Sequence, residues 1–421
     1  MKKTILICLS LFFISSAFTQ NKPKVELHEY IIHPVFSKKQ FISYTVPIAL
    51  KTTTDRYGKI NGENMQINAE ELQKLENERL TENERLKLVK TVFEKVRSGE
   101  VTAYQVQFGG LFGKDPALSN FTAYPLLSKD GSFPNDALQK TIIRDSLDEY
   151  DEVVINSNGY PWKIETAIDY KPEDVTSITF YENWSYDVNN ETGEFTPIQK
   201  QVVGYTLNVP FEDPYSEEIE GKSLIYIPCA KEADKDKMIS LKENIYTSTK
   251  INNSWRQFNT NEEQQLGNWY NNNLNADFRF HFCQYIIYLG ENSETFLPNW
   301  KVKGIYDTDK GYAVDKDGFP YNKKLSNDSI KSKSGINLML NVFDDNGEFV
   351  VDDNGEYIYE KVFEFYEASD IVNLDFIEDW LFDEKTLSIQ KRVKGLMPMV
   401  HLYNGYTGEI DAIKSMYCIK Y

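Results

Sequence analysis

The chain has 421 residues, 41% of them apolar and 26% charged, with a formal net charge of -18. So acidic a balance speaks against polyanion binding, which needs clustered Lys and Arg to neutralise phosphates. The length suits two or three domains, and four cysteines are too few and too widely spaced for a disulfide framework.

The first element is a leader over residues 1–19. Lys2 and Lys3 precede a largely apolar run from Thr4 to Phe18, and Ala17 and Thr19 supply small residues at -3 and -1 of a cleavage site. That order is a secretory signal peptide, so the mature chain is expected to start at Gln20. The run is too short for a membrane span, and no later stretch approaches about 20 consecutive apolar residues. Cys8 follows Ile7 inside the run, where a lipidated cysteine would need a small neighbour. The expectation is an exported chain whose formal charge falls to -20 with the two leader lysines. Cys229, Cys283 and Cys418 survive, expected as buried thiols with at most one bridge.

Thr81-Glu82-Asn83-Glu84 has capping-box form. Leu86, Val89, Phe93 and Val96 recur at helical spacing and Gly99 supplies a stop, so a helix is predicted over about 82–98. A β-rich half follows, with "FYENWSYDVNNETGEFTPIQKQVVG" at 180–204 as its clearest hairpin. A seam is expected near 229–240. Beyond it, the aromatic stretch at about 271–289 ("FRFHFCQYIIYLG" within it) fits helix or strand. Asn346-Gly347 and Asn354-Gly355 in "FDDNGEFVVDDNGEY" are turn signals between apolar residues. The last clear hairpin is "FIEDWLFDEKTLSIQKRVKG", 376–395, with its turn at Glu384 to Leu387.

The two hairpins are near-repeats. Phe180, Glu182, Trp184 and Asp187 match Phe376, Glu378, Trp380 and Asp383 at an offset of 196; Ile198-Gln199-Lys200, Val202 and Gly204 match Ile389-Gln390-Lys391, Val393 and Gly395 at 191. The extra residues fall in the polar segment Asn189 to Glu194, where a loop lengthens at little cost. Lys59-Ile60-Asn61, Gly99-Glu100, Lys129-Asp130-Gly131 and Lys222-Ser223 match Lys250-Ile251-Asn252, Gly290-Glu291, Lys316-Asp317-Gly318 and Lys414-Ser415 in the same order. This predicts an α+β chain of two tandem related domains, 20–230 and 231–421. Each is expected to be a helix or helix-like segment followed by an antiparallel β-rich half.

Alternation puts Phe376, Glu378, Trp380 and Phe382 on one face, with Lys391 near Trp380 and diagonal to Glu378. Glu182, Trp184 and Lys200 repeat the arrangement, so each hairpin is expected to carry its own Glu–Lys pair. A Glu and a Lys aimed at an aromatic face must pair or reach solvent, because an unpaired buried charge is expensive.

Signals for chemistry are few. Glu182 with Asp187, or Glu378 with Asp383, would be a carboxylate pair, but residues five apart on a strand face opposite ways. Asp307-Thr308-Asp309-Lys310-Gly311 and the two DDNGE turns lack the full ligand spacing of a calcium loop. The four histidines form no HExxH, and CxxC, GxSxG, GxGxxG and GxxxxGKS are absent. Ser388-Ile389-Gln390-Lys391 spells SxxK, but Pro197 stands at the matching position of the first hairpin. No catalytic, cofactor-binding or metal-binding residue is therefore expected.

Three features together resemble the gliding-motility and type IX (Por) secretion protein family GldN, also called PorN. They are "KLVKTVFEKVRSGEVTAY" (87–104), the E-x-W-x-aromatic-Asp strands at Glu182 to Asp187 and Glu378 to Asp383 behind Asp174-Val175 and Asp370-Ile371, and "LIYIPCAK" (224–231) with Gly395 and Pro398. The family usually has one such unit where this chain has two. The resemblance implies a periplasmic, non-enzymatic subunit, peripherally associated with the outer membrane and binding no cofactor. Its implied partners are an outer-membrane lipoprotein of the GldK/PorK kind and a periplasmic motor subunit of the GldM/PorM kind, with no nucleic acid. The alternative reading is an exported ligand-binding protein for glycan or peptide.

Overall fold

The computed structural model describes residues 39–49, 79–106, 123–125, 138–189, 194–212, 219–229, 238–250, 276–296, 298, 300–308, 314–344, 347–403 and 410–421. The leader, the matches at Lys59-Ile60-Asn61 and Lys129-Asp130-Gly131, Asp309-Lys310-Gly311 and Asn346 lie outside the described residues. The architecture is α+β and mostly antiparallel sheet.

One sheet has the order β1 (Lys39–Pro47), β6 (Ser177–Asn189), β7 (Glu194–Glu212), β8 (Ile219–Pro228), β2 (Tyr104–Val106), β3 (Ala123–Pro125). The other has β10 (Gly304–Tyr306), β16 (Cys418–Lys420), β14 (Ser388–Tyr403), β13 (Ile371–Asp383), β9 (Ile239–Lys250), with β15 (Ile410–Ser415) also on β14. The two near-repeated hairpins are β6–β7 and β13–β14. Trp184 pairs with Lys200 and Trp380 with Lys391, as the alternation predicts. Each hairpin also has a bulge that the sequence did not signal, at Tyr181/Glu182 and at Ile377/Glu378. Near each bulge a glycine makes room for a ring. A Cβ on Gly204 would sit 2.3 Å from the Tyr226 hydroxyl oxygen, and one on Gly395 would sit 2.9 Å from the Phe319 ring.

Helix α1 (Glu82–Arg97) opens on the predicted box. The Thr81 hydroxyl accepts from the Glu84 amide at 3.3 Å, and the Glu84 carboxylate accepts from the Thr81 amide at 2.7 Å. Its buried stripe is Arg85, Leu88, Val89, Val92, Phe93 and Val96, with Leu86 only half-buried. Buried Arg85 pairs with Glu82 at 2.7 Å and donates to the carbonyls of Glu173 (3.1 Å) and Val175 (2.7 Å), tying the helix to the turn ahead of β6. The aromatic stretch is helix α2 (Ala276–Glu291), not strand; Phe278, Phe282, Cys283, Tyr285, Ile286, Ile287 and Leu289 are buried, so it is apolar on most of its circumference. A short helix, α3 (Asn327–Lys333), packs beside it and buries Ile330.

The two main cores cross the middle of the chain. The core under α1 takes Ile178, Phe180, Tyr205 and Leu207 from the first half, and also Trp380, Phe382, Leu387 and Ile389 from the tip of the second hairpin. The core under α2 takes Leu374, Phe376 and Val400 from the second half, and also Trp184, Tyr186, Phe195 and Ile198 from the first hairpin. Each hairpin thus lends its distal part to the other half's helix. The Tyr205 hydroxyl donates to the Leu387 carbonyl at 2.9 Å, and Lys87 on α1 pairs with Glu384 in the second hairpin's turn at 2.8 Å. No disulfide joins Cys229, Cys283 and Cys418.

Candidate functional site

Where the hairpins meet, the repeated charged residues form one cluster, and their pairing corrects the expectation of a Glu–Lys pair built into each hairpin. Lys200 of the first hairpin binds Glu378 of the second at 2.5 Å; Lys391 of the second binds Glu182 of the first at 2.8 Å. Among these four residues the ion pair within a hairpin is Lys391 to Glu378, at 3.9 Å. The reason is geometric: with the hairpin faces packed together, each lysine reaches across the interface to the opposing carboxylate. Each glutamate takes the indole N–H of its own tryptophan, Trp184 at 2.6 Å and Trp380 at 3.1 Å. Each lysine also sits over the other hairpin's phenylalanine, Lys200 over Phe376 and Lys391 over Phe180, both at 3.3 Å to the ring centroid.

Tyr44 of β1 closes the cluster. Its hydroxyl accepts from Lys391 at 2.8 Å and Lys200 at 3.4 Å and donates to Glu182 at 3.2 Å. Burial, then the carboxylates of Glu182 and Glu378, push its pKa well up, so it stays a neutral phenol. Burial pulls Lys200 down against the attraction of both glutamates. Burial pushes Glu378 up, but Lys200 and Lys391 outweigh it and hold its carboxyl below the usual range. Two carboxylates and two ammoniums, all fully buried, sum to zero charge. With its four charged side chains fully buried and Tyr44 partly buried at its edge, the cluster ties the two hairpins together.

The other sequence candidates do not gather into a site. Glu182 is buried while Asp187 is exposed, and Asp383 caps its own turn through the amides of Lys385 and Thr386. Ser388 is buried and its hydroxyl accepts from Thr386 at 3.0 Å. The aspartates of the Asp-Gly and Asn-Gly turns accept backbone amides, as Asp315 does from Asp317 and Phe319 and Asp352 does from Asn354 and Glu356. Among the described residues, no group of three or more His, Cys, Asp or Glu could hold a metal. A groove of about 710 Å³ runs between β7 and β14, lined by Ile198, Gln199, Lys301, Gln390, Arg392 and Tyr421 among others.

The largest groups of exposed apolar side chains lie elsewhere. Among the described residues β4 (Gln139–Asp145) pairs only with β5 (Lys163–Asp169), and β11 (Gly335–Asn341) only with β12 (Tyr359–Phe365), so two two-stranded arms stand apart from both main sheets. Each ends in a three-way tip. In the first, the amides of Ser146, Val154 and Trp162 donate in a ring to the carbonyls of Trp162, Ser146 and Val154, at 2.7 Å each. In the second, Val342, Val350 and Ile358 repeat that ring at 2.9–3.0 Å. Small loops closed by Asp148, Asn156, Asp344 and Asp352 sit between these points.

Both arms expose large apolar side chains. The first shows Ile143, Leu147, Tyr150, Val153, Ile155, Tyr160 and Trp162; the second shows Met339, Leu340, Phe343, Phe349, Val351, Tyr357 and Tyr359. Sequence reasoning found the turns of the second arm but not its projection, and it missed the first arm, which has only Asn158-Gly159 as a turn signal. The comparison of the two arms was the available clue. Aligned at an offset of 196 they share Asp148/Asp344, Glu152/Glu348, Val154/Val350, Asn158/Asn354 and Gly159/Gly355 without a gap. No family model, curated protein or solved structure matches the chain.

Proposed function

We propose that this chain is a tandem of two related units that works as a non-enzymatic assembly component of an exported envelope machine of the gliding-motility and type IX secretion type. The observation that carries the reading is the pair of gap-free arms with exposed apolar faces. Isolated two-stranded hairpins are marginal in water, and contiguous exposed apolar surface marks interaction sites. Exposed loops drift in length at little cost, yet these arms align without a gap at the offset of 196 that also relates β6 to β13. Two arms on one entwined body suit a subunit that bridges others. The partners proposed are an outer-membrane lipoprotein of the GldK/PorK kind and a periplasmic motor subunit of the GldM/PorM kind, and the location proposed is the periplasm.

The test is mild crosslinking in the native envelope followed by fractionation and identification of the crosslinked proteins, with a chain lacking residues 141–167 as control. Recovery with the lipoprotein and the motor subunit, weakened by loss of the arm, is the expected result. A free monomer with no crosslinked partner would overturn the reading and leave glycan or peptide binding as the alternative.

A further inference from the structure

The second arm's tip differs from the first in chemistry although the backbones agree. At its end Phe343, Phe349 and Tyr357 form an aromatic run, with ring centroids 4.8 Å apart for the first pair and 5.3 Å for the second. All three rings are about half exposed, at 56%, 50% and 55%. The matching positions of the first arm are Leu147, Val153 and Pro161. Between Gly335 and Glu360 there are seven Asp and Glu and no Lys or Arg. The matching stretch of the first arm has five acidic residues and three basic ones, Lys140, Arg144 and Lys163. Glu348 and Glu356 are exposed at the ends of the two small loops whose backbones Asp344 and Asp352 hold.

Aromatic faces and carboxylates on one exposed tip define the recognition chemistry of a guanidinium. A planar cation can lie over a ring and be gripped two-pronged by a carboxylate at its edge, whereas an ammonium does only part of this. We infer that the tip of the second arm is a docking surface for an arginine-bearing segment of a protein partner, an inference that rests on the reading of the arms as binding elements. A second copy of the chain is disfavoured as occupant because an acidic tip would meet a chain of net charge -18. An anionic lipid surface repels the tip for the same reason.

The probe is a labelled synthetic peptide alternating Arg with Leu, with matched Lys and Glu versions, titrated into the full chain by fluorescence anisotropy at low and moderate salt. The Arg peptide should bind, the Lys peptide severalfold more weakly, and the Glu peptide not at all. The pair Phe343→Ser with Phe349→Ser, and separately Glu348→Gln with Glu356→Gln, should each weaken binding at least tenfold. Leu147→Ser with Val153→Ser, on the first arm, should leave it unchanged. Because these side chains are exposed, the melting temperature of each variant should stay near wild type. Equal binding of Arg and Lys peptides, equal loss from either arm, or no Arg binding would each overturn the inference. If envelope crosslinking still finds partners through the arms when the peptide fails, only this inference falls; if both fail, the reading of the arms falls with it.

Discussion

Lys200, Lys391, Glu182 and Glu378 show how four charges can be buried without a net penalty in charge, each lysine finding its closest carboxylate on the other hairpin. Removing one member leaves an uncompensated buried charge, which costs about 3–5 kcal/mol. Lys200→Met should therefore destabilise strongly, and Glu378→Met in the same chain should restore much of the loss, because well-packed apolar groups replace a buried pair at little cost. A double-mutant cycle in urea should give a larger coupling for Lys200 with Glu378 than for Lys200 with Glu182; the reverse order would contradict the crossed pairing. The cluster also sets an acid limit. Glu378 titrates lower in the folded chain than in the unfolded one, so the unfolded chain binds the proton first as pH falls. Its contribution is complete above the ordinary carboxylate range and is lost as pH drops through the depressed folded value. Melting temperature should fall more steeply with acid in the wild type than in the chain carrying Lys200→Met and Glu378→Met; parallel curves would count against this assignment.

Among the elements, α1 was legible because its signals are local. Thr81 and Glu84 satisfy the helix's first amides whatever packs against it, and Thr81→Ala should cost about 0.5–2 kcal/mol in urea midpoint analysis. A cost near zero would mean that tertiary packing alone fixes the helix start. Helix α2 was ambiguous because burial on most faces erases the polar stripe that marks an amphipathic helix. The β13–β14 hairpin and its turn at Glu384 to Leu387 were legible from alternation, and so was the Trp380–Lys391 register. Which carboxylate each lysine would choose was not, since period-2 alternation gives the face of a side chain and not the element opposite it. The arms were hidden for a related reason. Phe343, Phe349 and Val351 read as core by type, and among the described residues no further strand packs on the arm's tip to bury them.

At the scale of the whole molecule, the two halves of the chain are one interlocked body. Trp380, Phe382 and Leu387 complete the core beneath α1, and Trp184, Phe195 and Ile198 complete the core beneath α2. The core beneath each half's helix is thus built in part from the other half's hairpin, so neither half is expected to fold alone. The most direct test is to express residues 20–230 and 231–421 as separate chains and follow their thermal unfolding by circular dichroism, alone and mixed. Neither half alone should give a cooperative transition, and the mixture should recover one near that of the intact chain. A cooperative melt from either half alone, unchanged by adding the other, would contradict the interlocked body.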